Sequence, residues 1–77
     1  MKEYHYSKGE IIHKAGDSAD TLDYIVSGKV SINADGFLIT AKKNSILGIL
    51  EQAENPYSYN YIADTDVTIL SYPFTRF

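Results

Sequence analysis

The sequence predicts an all-β chain built from short strands. One observation is the period-two patterning of its middle, where Leu22, Tyr24 and Val26 alternate with Thr21, Asp23 and Ile25, and Val30, Ile32 and Ala34 alternate with Lys29, Ser31 and Asn33. A second is the punctuation: Gly16-Asp17, Ser27-Gly28 and Asp35-Gly36 divide these runs with residues that accept a positive φ. A third is Tyr57-Ser58-Tyr59-Asn60-Tyr61, which places three phenols on one face of an extended segment.

Taken in order, Met1 to Ser7, with Tyr4, His5 and Tyr6, reads as a short strand or a packed arm. Glu10 to Lys14 reads as a strand that ends at Ala15-Gly16. The next run is apolar on both sides at Tyr24, Ile25 and Val26, which suits a strand covered on both faces. Lys29 to Ala34 is a cleaner apolar-in, polar-out strand. Asp35-Gly36 is a strong hairpin signal, since a type I′ turn needs positive φ at both centres, and Phe37 to Lys42 returns as its partner. Lys42 to Ser45 breaks the sheet, with Asn44 suited to the left-handed region. Ile46 to Gly48 is a short strand, and Ile49 to Glu54 a turn of helix that Asn55-Pro56 ends. Tyr57 to Ala63 and Val67 to Tyr72 are the last strands. Pro73 to Phe77 reads as the start of a helix, with Phe74 and Phe77 on one face.

With 77 residues, the chain makes one domain, and at this size folding buries only about 60% of the unfolded surface. There is no cysteine to staple it, so a covering element or a partner is the natural expectation. The absence of cysteine fits a cytoplasmic setting. No apolar run reaches the length of a membrane span, and charges interrupt the first dozen residues, so no signal peptide and no membrane contact are expected. A net charge of −3 without a cluster of Lys or Arg argues against this segment gripping a nucleic-acid backbone. His5 and His13, with Glu3 and Glu10 nearby, raise a metal site, but neither a tight H-x-H nor an H-x-x-x-H spacing is present. Ordinary surface or half-buried histidines are the stronger reading, and no cofactor is expected.

Several fixed positions resemble the cyclic-nucleotide-binding domains of catabolite activator proteins, Crp/Fnr-type regulators, protein kinase A regulatory subunits and gated channels. Lys8-Gly9-Glu10-Ile11-Ile12 matches K-G-E-x-I. Gly16-Asp17, Ala19-Asp20, Leu22, Tyr24-Ile25 and Gly28-x-Val30 match G-D-x-A-D-x-(L/F)-Y-x-(I/V)-x-x-G-x-V, with Asp23 intruding before the tyrosine. Ala63-x-Thr65-Asp66 matches A-x-T-D. The resemblance implies a double-stranded β-helix, a jelly-roll-like β-roll with a helical turn in its ligand cassette, across residues 1–77. It also implies that the chain stops where the carboxy-terminal helices begin, as a fragment or the amino-terminal part of a larger protein.

In nucleotide-binding members the cassette opens with F-G-E and closes with P-R-(T/S)-A. A short helix presents N–H groups to the cyclic phosphate, the arginine makes a charge-assisted contact, and the glutamate accepts from the ribose hydroxyl. Here Leu47-Gly48-Ile49 stands at F-G-E and Pro56-Tyr57-Ser58-Tyr59 at P-R-(T/S)-A. Gly48, Pro56 and Ser58 match, while Ile49 replaces the glutamate and Tyr57 the arginine. Losing one desolvated charged partner costs about 2 to 5 kcal/mol, and each 1.4 kcal/mol or so is a factor of ten in affinity. The candidate pocket, Leu47, Gly48, Ile49, Leu50, Tyr57, Ser58 and Tyr59, is therefore not expected to hold cyclic AMP in the usual way.

The leading expectation is a sensory or regulatory domain, not an enzyme. It would take a less polar small-molecule effector and either form a homo-oligomer or pack against the helices that follow Phe77. One alternative is a β-roll that has kept its fold for structure or oligomerisation and lost its ligand. Another is a small cupin-like protein, disfavoured because His5 and His13 lie outside the central strands.

Overall fold

The computed structural model describes residues 1–49 and 56–73. They form β1 (Lys2–Tyr6), β2 (Ile11–His13), β3 (Thr21–Ser27), β4 (Lys29–Ala34), β5 (Phe37–Lys42), β6 (Ile46–Leu47), β7 (Tyr61–Ala63) and β8 (Val67–Pro73). One sheet runs β1-β8-β3-β6 and the other β2-β7-β4-β5. All pairings are antiparallel. Successive strands pass from one sheet to the other at nearly every connection, which winds the chain into the β-roll that the resemblance implies.

The core lies between the two inner faces. β8 contributes Val67 and Ile69, β3 Ile25, β4 Val30, and β7 Tyr61 and Ala63, joined by Ile12, Ala19, Leu47 and Tyr57. Each large aliphatic side chain buried here contributes roughly 1.5–3 kcal/mol. The turns follow the residues that permit them. Asp35 and Gly36 take φ of 52° and 89°, closing the β4–β5 hairpin as a two-residue turn. Asn44 has φ of 74° and is tied to β3, its N–H donating to the Ile25 carbonyl at 2.8 Å and its Oδ1 accepting from the Tyr24 hydroxyl at 2.5 Å.

Three segments that carry the resemblance meet and bond one another. Gly9 N–H donates to the Ala63 carbonyl at 2.7 Å, Ala63 N–H to Glu10 at 2.9 Å and Asp64 N–H to Lys29 at 2.9 Å. Lys8 N–H donates to Asp66 Oδ1 at 3.0 Å, and Lys29 N–H to Thr65 Oγ1 at 3.0 Å. Gly28 sits inside this junction with φ of 90°. A Cβ there would collide with the Asp66 carbonyl oxygen and lie 2.9 Å from Val67 Cγ2.

Three details differ from the sequence reading. β3 is covered on one face only: Leu22 and Tyr24 point outward with Ile46, Leu70 and Tyr72 around an apolar groove of about 340 Å³. Tyr57 to Ala63 is not one strand. Only Tyr61–Ala63 pairs as β7, because the Tyr57 backbone turns aside and bonds Gly16 and Asp17. Pro73 ends β8 opposite Thr21 rather than opening a helix, since a missing N–H does little harm at a strand terminus. The core of the expected helical turn at Ile49 to Glu54, and Phe74 and Phe77, lie outside the described residues.

Candidate functional site

The first half of the cassette hangs from the end of β6. Leu47 pairs with Asp23 across β3 and is buried. Gly48 follows with φ of 104°, and a Cβ there would lie 2.5 Å from the Thr21 carbonyl oxygen. The close approach of the chain to β3 therefore requires glycine. Ile49 is 59% exposed. Leu50 lies outside the described residues.

The second half is zipped to the loop before β3. Tyr57 N–H donates to the Asp17 carbonyl and Gly16 N–H to the Tyr57 carbonyl, each at 2.9 Å. Ala15 N–H donates to Asn60 Oδ1 at 2.8 Å. This turns the Tyr57 ring inward, leaving it 1% exposed. It stacks on the His13 ring at a centroid distance of 4.3 Å and meets Tyr61 edge-on at 5.2 Å. Ser58 is exposed. Tyr59 is half-buried, its hydroxyl donating to Asp35 Oδ2 at 3.2 Å. The structure thus brings Leu47 and Tyr57 into one buried cluster and leaves Ile49 and Ser58 facing solvent. The three phenols do not share a strand face, but Tyr57 and Tyr61 pack together across the core.

Linked to Tyr57 through His13 is a polar group set into the core. Asp23 is 2% exposed. Its carboxylate contacts His13 Nε2 and accepts from Ser71 Oγ at 2.7 Å and Thr21 Oγ1 at 3.0 Å. Burial alone would raise the Asp23 pKa, yet the hydrogen bonds from His13 and Ser71, the charge interaction with His13 and the bond from Thr21 together hold it below the usual carboxylate value. Burial also pushes the Tyr6 hydroxyl up, and the charge of Asp23 adds to that shift. Ser71 donates to the carboxylate, not to the imidazole, so these residues form an acceptor satisfied from several sides rather than a nucleophile with its base. His5 lies on β1, in the same sheet as Asp23 and Ser71, and is bonded instead to Glu3 at 2.7 Å and Thr68 at 3.1 Å.

The family model for the cyclic nucleotide-binding domain matches residues 3–77. The chain belongs to the cyclic nucleotide-binding domain family. No curated protein matches. Among solved structures, this cyclic nucleotide-binding domain is similar to one described as Sp-2Cl-cAMPS bound to PKAR CBD2, with 24% identity and a TM-score of 0.83, covering 94% of this chain and 51% of that one. It is also similar to the N-terminal domain of a transcriptional regulator from Streptomyces coelicolor A3(2), with 24% identity and a TM-score of 0.80, covering 95% and 56%. A third is the regulatory subunit of a cAMP-independent protein kinase A from Trypanosoma cruzi bound to guanosine, with 24% identity and a TM-score of 0.79, covering 94% and 28%. The chain spans about half the length of the first two.

Sequence reasoning missed the buried carboxylate group. The signal was present: Asp23 interrupts the cyclic nucleotide-binding domain pattern at an inward strand position, and Ser71 interrupts Val67-x-Ile69 two residues later on the same face of β8. Only the β3–β8 register, which sets Asp23 opposite Ser71, joins the two.

Proposed function

We propose that this domain is a regulatory, non-enzymatic module, forming a single unit across residues 1–77, whose cassette has lost recognition of a cyclic nucleotide. The observation that carries the reading is the burial of Tyr57 against His13. At the position where a nucleotide-binding cassette offers a guanidinium to the phosphate, this chain commits an aromatic ring to its own core. Ile49, at the glutamate position, offers no acceptor for a ribose hydroxyl. The Trypanosoma cruzi relative, described as the regulatory subunit of a cAMP-independent protein kinase A bound to guanosine, is the reason to include guanosine among the ligands tested. The module works in the cytoplasm, passing the state of its pocket to segments outside these residues.

A thermal-shift titration of the protein against cyclic AMP, cyclic GMP, guanosine and small aromatic acids tests this. A ligand at 100 times its Kd stabilises by about 2.7 kcal/mol, which in a domain of this size raises Tm by on the order of 10 °C or more. No rise is expected with either cyclic nucleotide. A saturable rise with cyclic AMP or cyclic GMP overturns the proposal. A rise with another compound supports a repurposed sensor, and no rise with any compound favours a roll kept for structure or oligomerisation.

A further inference from the structure

β5 is the outermost strand of the second sheet, and its apolar residues are uncovered: Phe37 is 76%, Leu38 72% and Ile39 49% exposed. A two-residue loop closes on a pair that exchanges both backbone hydrogen bonds, here Ala34 and Phe37. The alternation then turns the N–H and C=O groups of Leu38 and Thr40, and the N–H of Lys42, away from β4, toward the free edge; the Lys42 carbonyl accepts from Ser45 N–H at 3.0 Å. Such a row fits another extended strand and little else. Natural edges are commonly guarded by a charge or a proline, yet none stands between Phe37 and Ala41.

We propose that β5 is a self-association edge, pairing antiparallel with β5 of a second copy about a two-fold axis at Ile39. This arrangement places Leu38 opposite Thr40 of the second copy, both with outward backbone groups, so the pair exchanges both hydrogen bonds. Ile39 faces its own counterpart in the closer, non-hydrogen-bonded position. The charges agree with the same register. Asp35 before the strand comes beside Lys43 of the second copy, and the two-fold axis repeats the contact. A parallel pairing would set Lys42 and Lys43 against themselves. The result is one continuous eight-stranded sheet across the two copies.

The chain contains no cysteine, which makes a direct test available. Across the axis the Ile39 Cα atoms lie about 4.5 Å apart, within the range a disulfide spans. Ile39→Cys is expected to cross-link under mild oxidation at least about tenfold faster than Leu38→Cys, whose counterpart is Thr40 rather than itself. Sedimentation of the unmodified protein over a roughly hundredfold concentration range should show a monomer–dimer equilibrium. Thr40→Pro removes an outward donor while sparing the bonds to β4, and should leave a monomer. Equal cross-linking of the two cysteine variants, a monomer at every concentration, or a dimer that survives Thr40→Pro each overturns the proposal.

Discussion

Two regions of this roll carry the family's pattern very differently. The junction of Lys8–Glu10, Gly28–Lys29 and Ala63–Asp66 keeps the pattern, and its residues bond each other, largely main chain to main chain. In the proposed reading the cassette has exchanged both charged positions; what the fold places there is Tyr57, turned inward and held by ring packing. The junction makes the strands meet whatever the pocket holds, whereas under the proposed function the cassette residues answer to the ligand. A family match resting on the junction therefore reports the fold, and the cassette must be judged on its own side chains.

The largest expected effect comes from breaking the junction. Gly28→Val puts a β-branched residue at φ of 90° and drives its Cβ into the Asp66 carbonyl. Strain and collision together should cost about 4 kcal/mol or more, a large part of the stability of a small domain. The protein should show no cooperative urea transition, and a native-like transition would mean that the junction can relax around a side chain.

Next is the inward half of the cassette. Tyr57→Ala removes a ring that is 1% exposed and leaves His13 without its stacking surface. A loss of about 3–4 kcal/mol is expected from a truncation of this size in the core, measured as a shift of the urea midpoint. A loss below about 1 kcal/mol would mean that the ring is not fixed in the core, which would reopen the pocket to a ligand.

The carboxylate linked to Tyr57 through His13 should sharpen the comparison through pH. The pKa of Asp23 is lowered in the fold. Its contribution to stability is thus present above the ordinary carboxylate value of about 3.9 and is lost as pH falls through the lower folded value. Asp23→Asn should cost about 2 kcal/mol near neutral pH, because a buried donor loses its acceptor. It should also flatten the acid limb of the stability profile. Urea melts from about pH 7 down to about pH 3 check both, and an unchanged acid limb would assign acid sensitivity to other carboxylates.

Much of this architecture was legible in the residues. Asp35-Gly36 and Asn44 announced their positive φ, and the alternation from Lys29 to Ala34 gave β4 its buried Val30 and exposed Lys29. The short K-G-E and A-x-T-D segments pointed to the roll because they tie the strands together, through the main chain at Gly9, Glu10 and Ala63 and through the Glu10, Thr65 and Asp66 side chains, which accept main-chain N–H groups. The interior chemistry was harder. In β3 the inward set is Thr21, Asp23 and Ile25, and Leu22 and Tyr24 face out. Hydrophobicity alone therefore gave no sign of which face was inside. Tyr57 looked like a strand residue because its neighbours alternate, but its direction is set by bonds to Gly16 and Asp17, forty residues away in sequence.

The smallest effect should come from the outward half of the cassette. Ile49 is 59% exposed, so Ile49→Glu gives up little buried surface and adds a solvated charge, and the midpoint should move by no more than about 0.5 kcal/mol. Set beside Tyr57→Ala, this near-neutral change divides the cassette into one position free to vary and one tied to the fold. Restoring the glutamate would then be simple in this chain, whereas restoring an arginine at Tyr57 would place an unpaired cation in the core. If Ile49→Glu alone produced a saturable rise in Tm with cyclic AMP, the tied position would have been dispensable for nucleotide binding. The argument from Tyr57 would then fail while the junction and the fold stood unchanged.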